Sequence, residues 1–187
     1  MRDDISDKLV HLTKGVGVDP SKHREEALKT LVKVLSEKRL LGGDGFIKGS
    51  HKCVCFSEAP IGKLSHILAQ KEGKSFKYQP YGVIVDKLWL FEKGGRPVIY
   101  GPDGDYNALP DDMKYRHVRF WLSEKYTVDH TWEREWRIKT AELKITPNEV
   151  TIVVPDRLAK DAFVSKYKED SWHYIVLSDL GVKIDAL

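Results

Sequence analysis

The stretch HTWEREWRI, residues 130–138, sets Glu133, Glu135 and Arg137 at every second position beside Trp132 and Trp136. Read as a strand, a period of two sends both glutamates and Arg137 to one face, and Arg134, Trp136 and Ile138 to the other. One face is then the wall of a core and the other a charged row. Such a row is either a solvated face with ion pairs or the floor of a site. The rest of the chain must decide which.

Working outward, DKLVHLT (7–13), HKCVCFS, YGVIVDKLWLF (81–91), GGRPVIYG and EVTIVVP all carry strand composition, and YGVIVDKLWLF has room for a turn of helix at its end. Lys22 to Arg39 repeats Ala27/Leu28, Leu31/Val32 and Leu35 at helical spacing behind the start signal Asp19-Pro20-Ser21, and LGGDG is expected to close that helix. Pro60 to Gln70 reads as a short helix, Asp156–Tyr167 as a capped one, and WHYIVLS as a last strand. PDDMKYRHVRFWLSEK fits neither pattern cleanly. The sum is an α+β fold whose strands form a mixed or antiparallel sheet system with few helices. Its final strand–helix–strand suits a βαβ crossover. We expect one domain over 1–187, with the motifs between about 7 and 140 and the strand–helix–strand over 149–178.

Composition narrows the function. Of 187 residues, 41% are hydrophobic, enough for a sizeable core. The formal charge of +3 is short of a dedicated nucleic-acid binder but permits an anionic ligand. No apolar run has membrane length and MRDDISDK is not a signal peptide, so a soluble cytoplasmic protein without a membrane partner is expected. GGDG and GGRP are turns, not phosphate-binding fingerprints. Cys53 and Cys55 sit two apart on one strand, a spacing that disfavours a mutual disulfide. His51 could join them on one face, but no second Cys/His pair completes a metal site, so no metal is expected.

Four polar clusters could carry chemistry: His11 and Thr13 in VHLT, Ser57 and Glu58 in CFSEAP, Tyr78 and Tyr81 in YQPYG, and the charged row itself. Each has an ordinary structural explanation in turn, cap or packing. No Ser–His–Asp or Cys–His arrangement stands out among them.

Taken in order, VHLTKG, LVKVLSEKRLLGG, CVCFSEAPI, YGVIVDKLWL, RPVIY and WEREWRI resemble a group of bacterial proteins of unknown function related to AbiGi-type abortive phage-infection proteins. CFSEAP and WEREWRI are the most specific parts. More distantly the layout resembles the ADP-ribosyltransferase fold, in which two small sheets splay apart around NAD⁺. That resemblance implies roles. His11, assisted by Thr13, would hold a ribose of NAD⁺. Ser57 or Tyr81 would support the nicotinamide pocket. Glu135, or Glu133, would be the catalytic carboxylate, with Arg137 meeting the pyrophosphate or holding the glutamate. The sequence departs from the pattern in lacking a middle-strand S-T-S triplet and a Tyr–Tyr pair at the usual helix spacing.

Two other classes compete. One is a metal-independent RNase-like effector using His11, His117 and Arg119, favoured by the basic and aromatic mixture of KYRHVRFW (114–121). The other is a non-catalytic binding or antitoxin-like module of the same fold. The target could be nucleic acid, protein or free NAD⁺.

Overall fold

A computed structural model describes residues 5–15, 19–58, 60, 64–69, 71–72, 75–167 and 172–182. Alternating β-branched and aromatic residues build the strands β1 (Lys8–Leu12), β2 (Cys53–Ser57), β3 (Gly82–Asp86), β4 (Arg96–Pro97), β5 (Glu135–Lys139), β6 (Val150–Val154) and β7 (His173–Val176). They form one seven-stranded sheet in the order β7-β6-β3-β1-β2-β5-β4. Neighbours run antiparallel except β6 and β7, which are parallel and joined through the helix Arg157–Lys166. The fold is therefore α+β with a large mixed sheet and few helices. The C-terminal segment is woven into it, because β6 pairs with β3.

The sheet is covered on both faces. Leu9, Phe56, Val83, Ile138 and Ile152 pack with Ala27, Leu31 and Leu35 of the long helix His23–Glu37. On the other face Val10, Leu12, Ile84 and Val153 meet Leu64, Ile67 and Leu68 of the short helix Leu64–Leu68. Period 2 in the strands and period 3.6 in the long helix thus aim the same residue types at one interior. Of the helical positions that the sequence marks for the interior, Leu28 and Val32 are only partly buried but pack against the core; Val98, in GGRPVIYG, is also only partly buried.

Several local expectations change. The long helix ends before LGGDG: Lys38 turns left-handed at φ 51° and its N–H caps Val34, so Arg39–Leu41 already runs as a strand beside Glu142–Lys144. Residues 61–63 and 70 of the expected Pro60–Gln70 helix lie outside the described residues. GGRPVIYG supplies two strands, β4 and Ile99–Gly101, the latter parallel to His117–Arg119. HTWEREWRI is not one strand. Thr131–Glu133 is a 3-10 turn, Arg134 is left-handed at φ 44°, and the strand starts only at Glu135. Asp129 causes the turn by accepting from the N–H and Oγ1 of Thr131 at 2.8 and 2.7 Å.

Instead of two splayed sheets, one ladder runs through all seven strands, though it is thin at one seam. Strand β1 matches β3 over five positions and β2 matches β5 over five, whereas β1 and β2 share the single pair Val10–Ser57. That one pair keeps the sheet continuous. Beyond it β1 stays with β3, since the N–H of Thr13 donates to the carbonyl of Tyr81 at 2.8 Å. Gly82 permits this close approach, because a Cβ there would run into the carbonyl oxygen of His11. Gly82→Ala is therefore expected to cost about 1–3 kcal/mol, the usual range for overpacking against an unyielding neighbour. Chemical denaturation would read it, and an unchanged midpoint would show that β1 can shift freely.

Candidate functional site

A cavity of about 460 Å³ opens at this seam, within the range of roughly 300–1,000 Å³ usual for small-molecule sites. Val10 and His11 line it from β1, and Cys55 and Ser57 from β2. Glu135 and Arg137 of β5 form its floor, and Glu133 enters from the 3-10 turn. The register explains the grouping: Ser57 lies opposite Glu135 and Cys55 opposite Arg137, so these four side chains share a face. The two most specific motifs of the sequence are thus neighbouring strands. They are also fastened at their ends, where the buried Glu58 accepts from Trp136 Nε1 at 3.0 Å and pairs with Lys87 at 2.8 Å.

His11 occupies the gap left by the missing ladder. Its Nδ1 donates to the carbonyl oxygen of Cys55 at 2.7 Å, and its ring lies 5.6 Å from that of Phe56. A carbonyl only accepts, so the proton sits on Nδ1 and the neutral ring has its lone pair on Nε2. Burial holds its pKa below the ordinary value, and Lys14 nearby adds to the effect. The unfolded chain, titrating near ~6.5, therefore takes up a proton that folded His11 resists. Stability is lost as pH falls below that unfolded value, because the unfolded state binds more protons there. His11→Asn can keep a donor toward Cys55 without titrating. Its melting temperature should fall less than the wild type's between pH 7.5 and 5.5, and parallel curves would contradict this.

The two glutamates are held differently. Arg137, only 4% exposed, donates Nε and Nη2 to the two carboxylate oxygens of Glu135 at 2.8 and 3.1 Å. Its Nη1 donates to the carbonyls of Tyr115 and His117 at 2.8 and 3.1 Å. This fork–fork pair fixes the carboxylate plane. It uses about one lone pair on each oxygen and leaves the others for a ligand. Glu133 is more fully engaged: Lys77 Nζ lies 2.5 Å from Oε1 and the Tyr78 hydroxyl donates to Oε2 at 2.9 Å. The Glu133 side chain is 9% exposed against 15% for Glu135. Burial beside Glu133 pushes the Tyr78 hydroxyl far up, and burial with Glu135 nearby does the same to the Cys55 thiol. Both stay protonated near neutral pH. Cys53, buried, is likewise pushed up to about 11.

His11, Ser57, Glu133, Glu135 and Arg137 therefore come together, while Thr13 and Tyr81 do not. Both are buried in the framework, where Thr13 Oγ1 donates to the carbonyl of Tyr81 at 3.0 Å and the Tyr81 ring belongs to the core. The cavity wall also holds Lys14, Phe46, Lys77 and Tyr78. Of these only Tyr78 stands out in the sequence, in YQPYG; Phe46 lies in a glycine-rich turn with no periodicity to mark it. His117 is buried against the Pro102 carbonyl at 3.0 Å, outside the cavity lining, so the trio His11, His117 and Arg119 is not assembled there. Among the described residues no group of three His, Cys, Asp or Glu is arranged to hold a metal ion, and no helix is long and apolar enough to cross a membrane.

Comparison with known proteins gives no family to set beside this geometry: no family model, curated protein or solved structure matches the chain.

Proposed function

We propose that this chain is an ADP-ribosyltransferase-like protein that takes NAD⁺ as substrate in the seam cavity. By the motif resemblance, its setting is cytoplasmic abortive-infection defence. One observation carries the reading: His11 and Glu135, far apart in sequence, face the same cavity from opposite sides of the seam. Cleaving the nicotinamide N-glycosidic bond sends the bonding pair to nicotinamide and leaves oxocarbenium character on the ribose. A carboxylate already oriented by Arg137 stabilises that charge without reorganising. Water or an acceptor nucleophile then bonds to C1′ and gives up its proton. Neutral His11 offers Nε2 to a ribose hydroxyl, and Ser57 sits beside Glu135.

The test is release of nicotinamide from NAD⁺ by the purified protein, with and without cell extract as a source of acceptor. Release that depends on the protein supports the proposal. No release under either condition, together with no NAD⁺-dependent rise in melting temperature, would leave a non-catalytic binding module of the same fold.

A further inference from the structure

Four exposed aromatic residues lie on the cavity wall or next to residues that form it. Phe46 is 87% exposed, Tyr126 51%, Trp121 39% and Trp132 38%. All four connect directly to the cavity wall. Phe46 is itself part of it. Trp121 lies opposite the wall residue Val128 in a two-stranded ladder, which puts both on one face. Tyr126 receives a hydrogen bond from wall residue Arg119 at 3.1 Å, and Trp132 has wall residue Lys77 5.7 Å from its ring centre.

Cations interleave with these rings. Lys14 lies 5.7 Å from the Phe46 ring centre and 5.3 Å from that of Tyr78, and Arg119 5.8 Å from that of Tyr126. Lys14 pairs with no carboxylate among the described residues, while Arg119 is shared with Asp103 at 3.2 Å. Exposed rings with cations against them beside an open cavity match what a flexible polyanion of stacked bases requires: rings for the bases and charge for the phosphates. A protein partner would call for a continuous apolar centre with a polar rim. Here cations sit against Phe46, Tyr126 and Trp132.

We infer that the mouth binds single-stranded nucleic acid and presents one of its bases to the cavity. Resting on the reading of the cavity as an NAD⁺ site, this names the acceptor class. A base nitrogen bonds to C1′ as nicotinamide leaves with the bond pair, and the nitrogen's proton passes to solvent. DNA and RNA share the recognised chemistry of bases and phosphates.

Binding is measurable without NAD⁺, which keeps the two proposals separable. Fluorescence anisotropy with labelled twelve-residue DNA and RNA strands should show salt-sensitive binding, weaker for the corresponding duplexes. Tyr126→Ala and Trp132→Ala, each verified as folded by its melting curve, should weaken single-strand binding by about tenfold. Nicotinamide release in the absence of nucleic acid should be unchanged by either. Tightest binding among the single strands by DNA or by RNA identifies the source. The inference is overturned if folded wild-type protein binds neither strand, if heparin or duplex binds as tightly, or if both variants bind like wild type. It is equally overturned if extract-dependent transfer labels only protein.

Discussion

Arg137→Met should lower the stability of the fold by about 3–5 kcal/mol, the range for removing one partner of a buried ion pair. Arg137 is 4% exposed and donates to Glu135 and to the carbonyls of Tyr115 and His117. Methionine fills much of the volume but leaves a carboxylate without its charge partner and two carbonyls without a donor. Lys77, on the same cavity wall, is already committed to Glu133. For a chain of this size each kcal/mol moves the melting temperature by roughly 2–4 °C, so a drop on the order of 10 °C is expected. Arg137→Lys should recover only part of it, because an ammonium cannot form the fork. The double change Arg137→Met with Glu135→Gln should be less destabilising than the sum of the singles. A single-variant loss under ~2 °C would mean that the pair contributes little.

The second large effect is on chemistry. Glu135→Gln keeps the side-chain volume but removes the charge proposed to face the developing oxocarbenium. Nicotinamide release should fall by about 10²–10³, as when one preorganised electrostatic group is removed. Because Glu135 is also the partner of Arg137, the melting temperature should fall too. A thermal shift therefore does not separate a catalytic role from a structural one, and the rate per folded molecule does. Glu133→Gln is the control. Its carboxylate is held by Lys77 and Tyr78, so stability should drop while release changes less than about tenfold. Full release in folded Glu135→Gln would remove Glu135 from the chemistry.

Much of the scaffold is legible in the sequence, and the reason is periodicity. Leu31 and Leu35 on the long helix, and Val54, Phe56, Val83 and Ile152 on their strands, are buried as their spacing requires. Asp156 caps its helix by accepting from the Ala159 N–H at 2.8 Å, a local contact that needs no tertiary knowledge. The same rule fails at Glu133, since strand alternation continued through Arg134 ignores the turn that Asp129 and Thr131 impose. Glu133 still reaches the cavity, by a different route from the one its spacing suggests. The seam is invisible to periodicity altogether. It arises because β1 follows β3 rather than β2 beyond Val10, a choice made by tertiary packing and by Gly82. Thr13 and Tyr81 are polar residues flanking this path, and in sequence they look no different from site residues. Their burial, the place of the Tyr81 ring in the core and the hydrogen bonds from Thr13 to the Tyr81 carbonyl put them in the framework.

A crystal structure of Glu135→Gln grown with NAD⁺ tests the central claim most directly, because the variant preserves the cavity while slowing turnover. NAD⁺ should lie in the seam cavity, with a ribose hydroxyl at hydrogen-bond distance from His11 Nε2 and the nicotinamide ribose against the residue 135 side chain. NAD⁺ bound elsewhere on the surface, or an empty cavity at saturating NAD⁺, would contradict it.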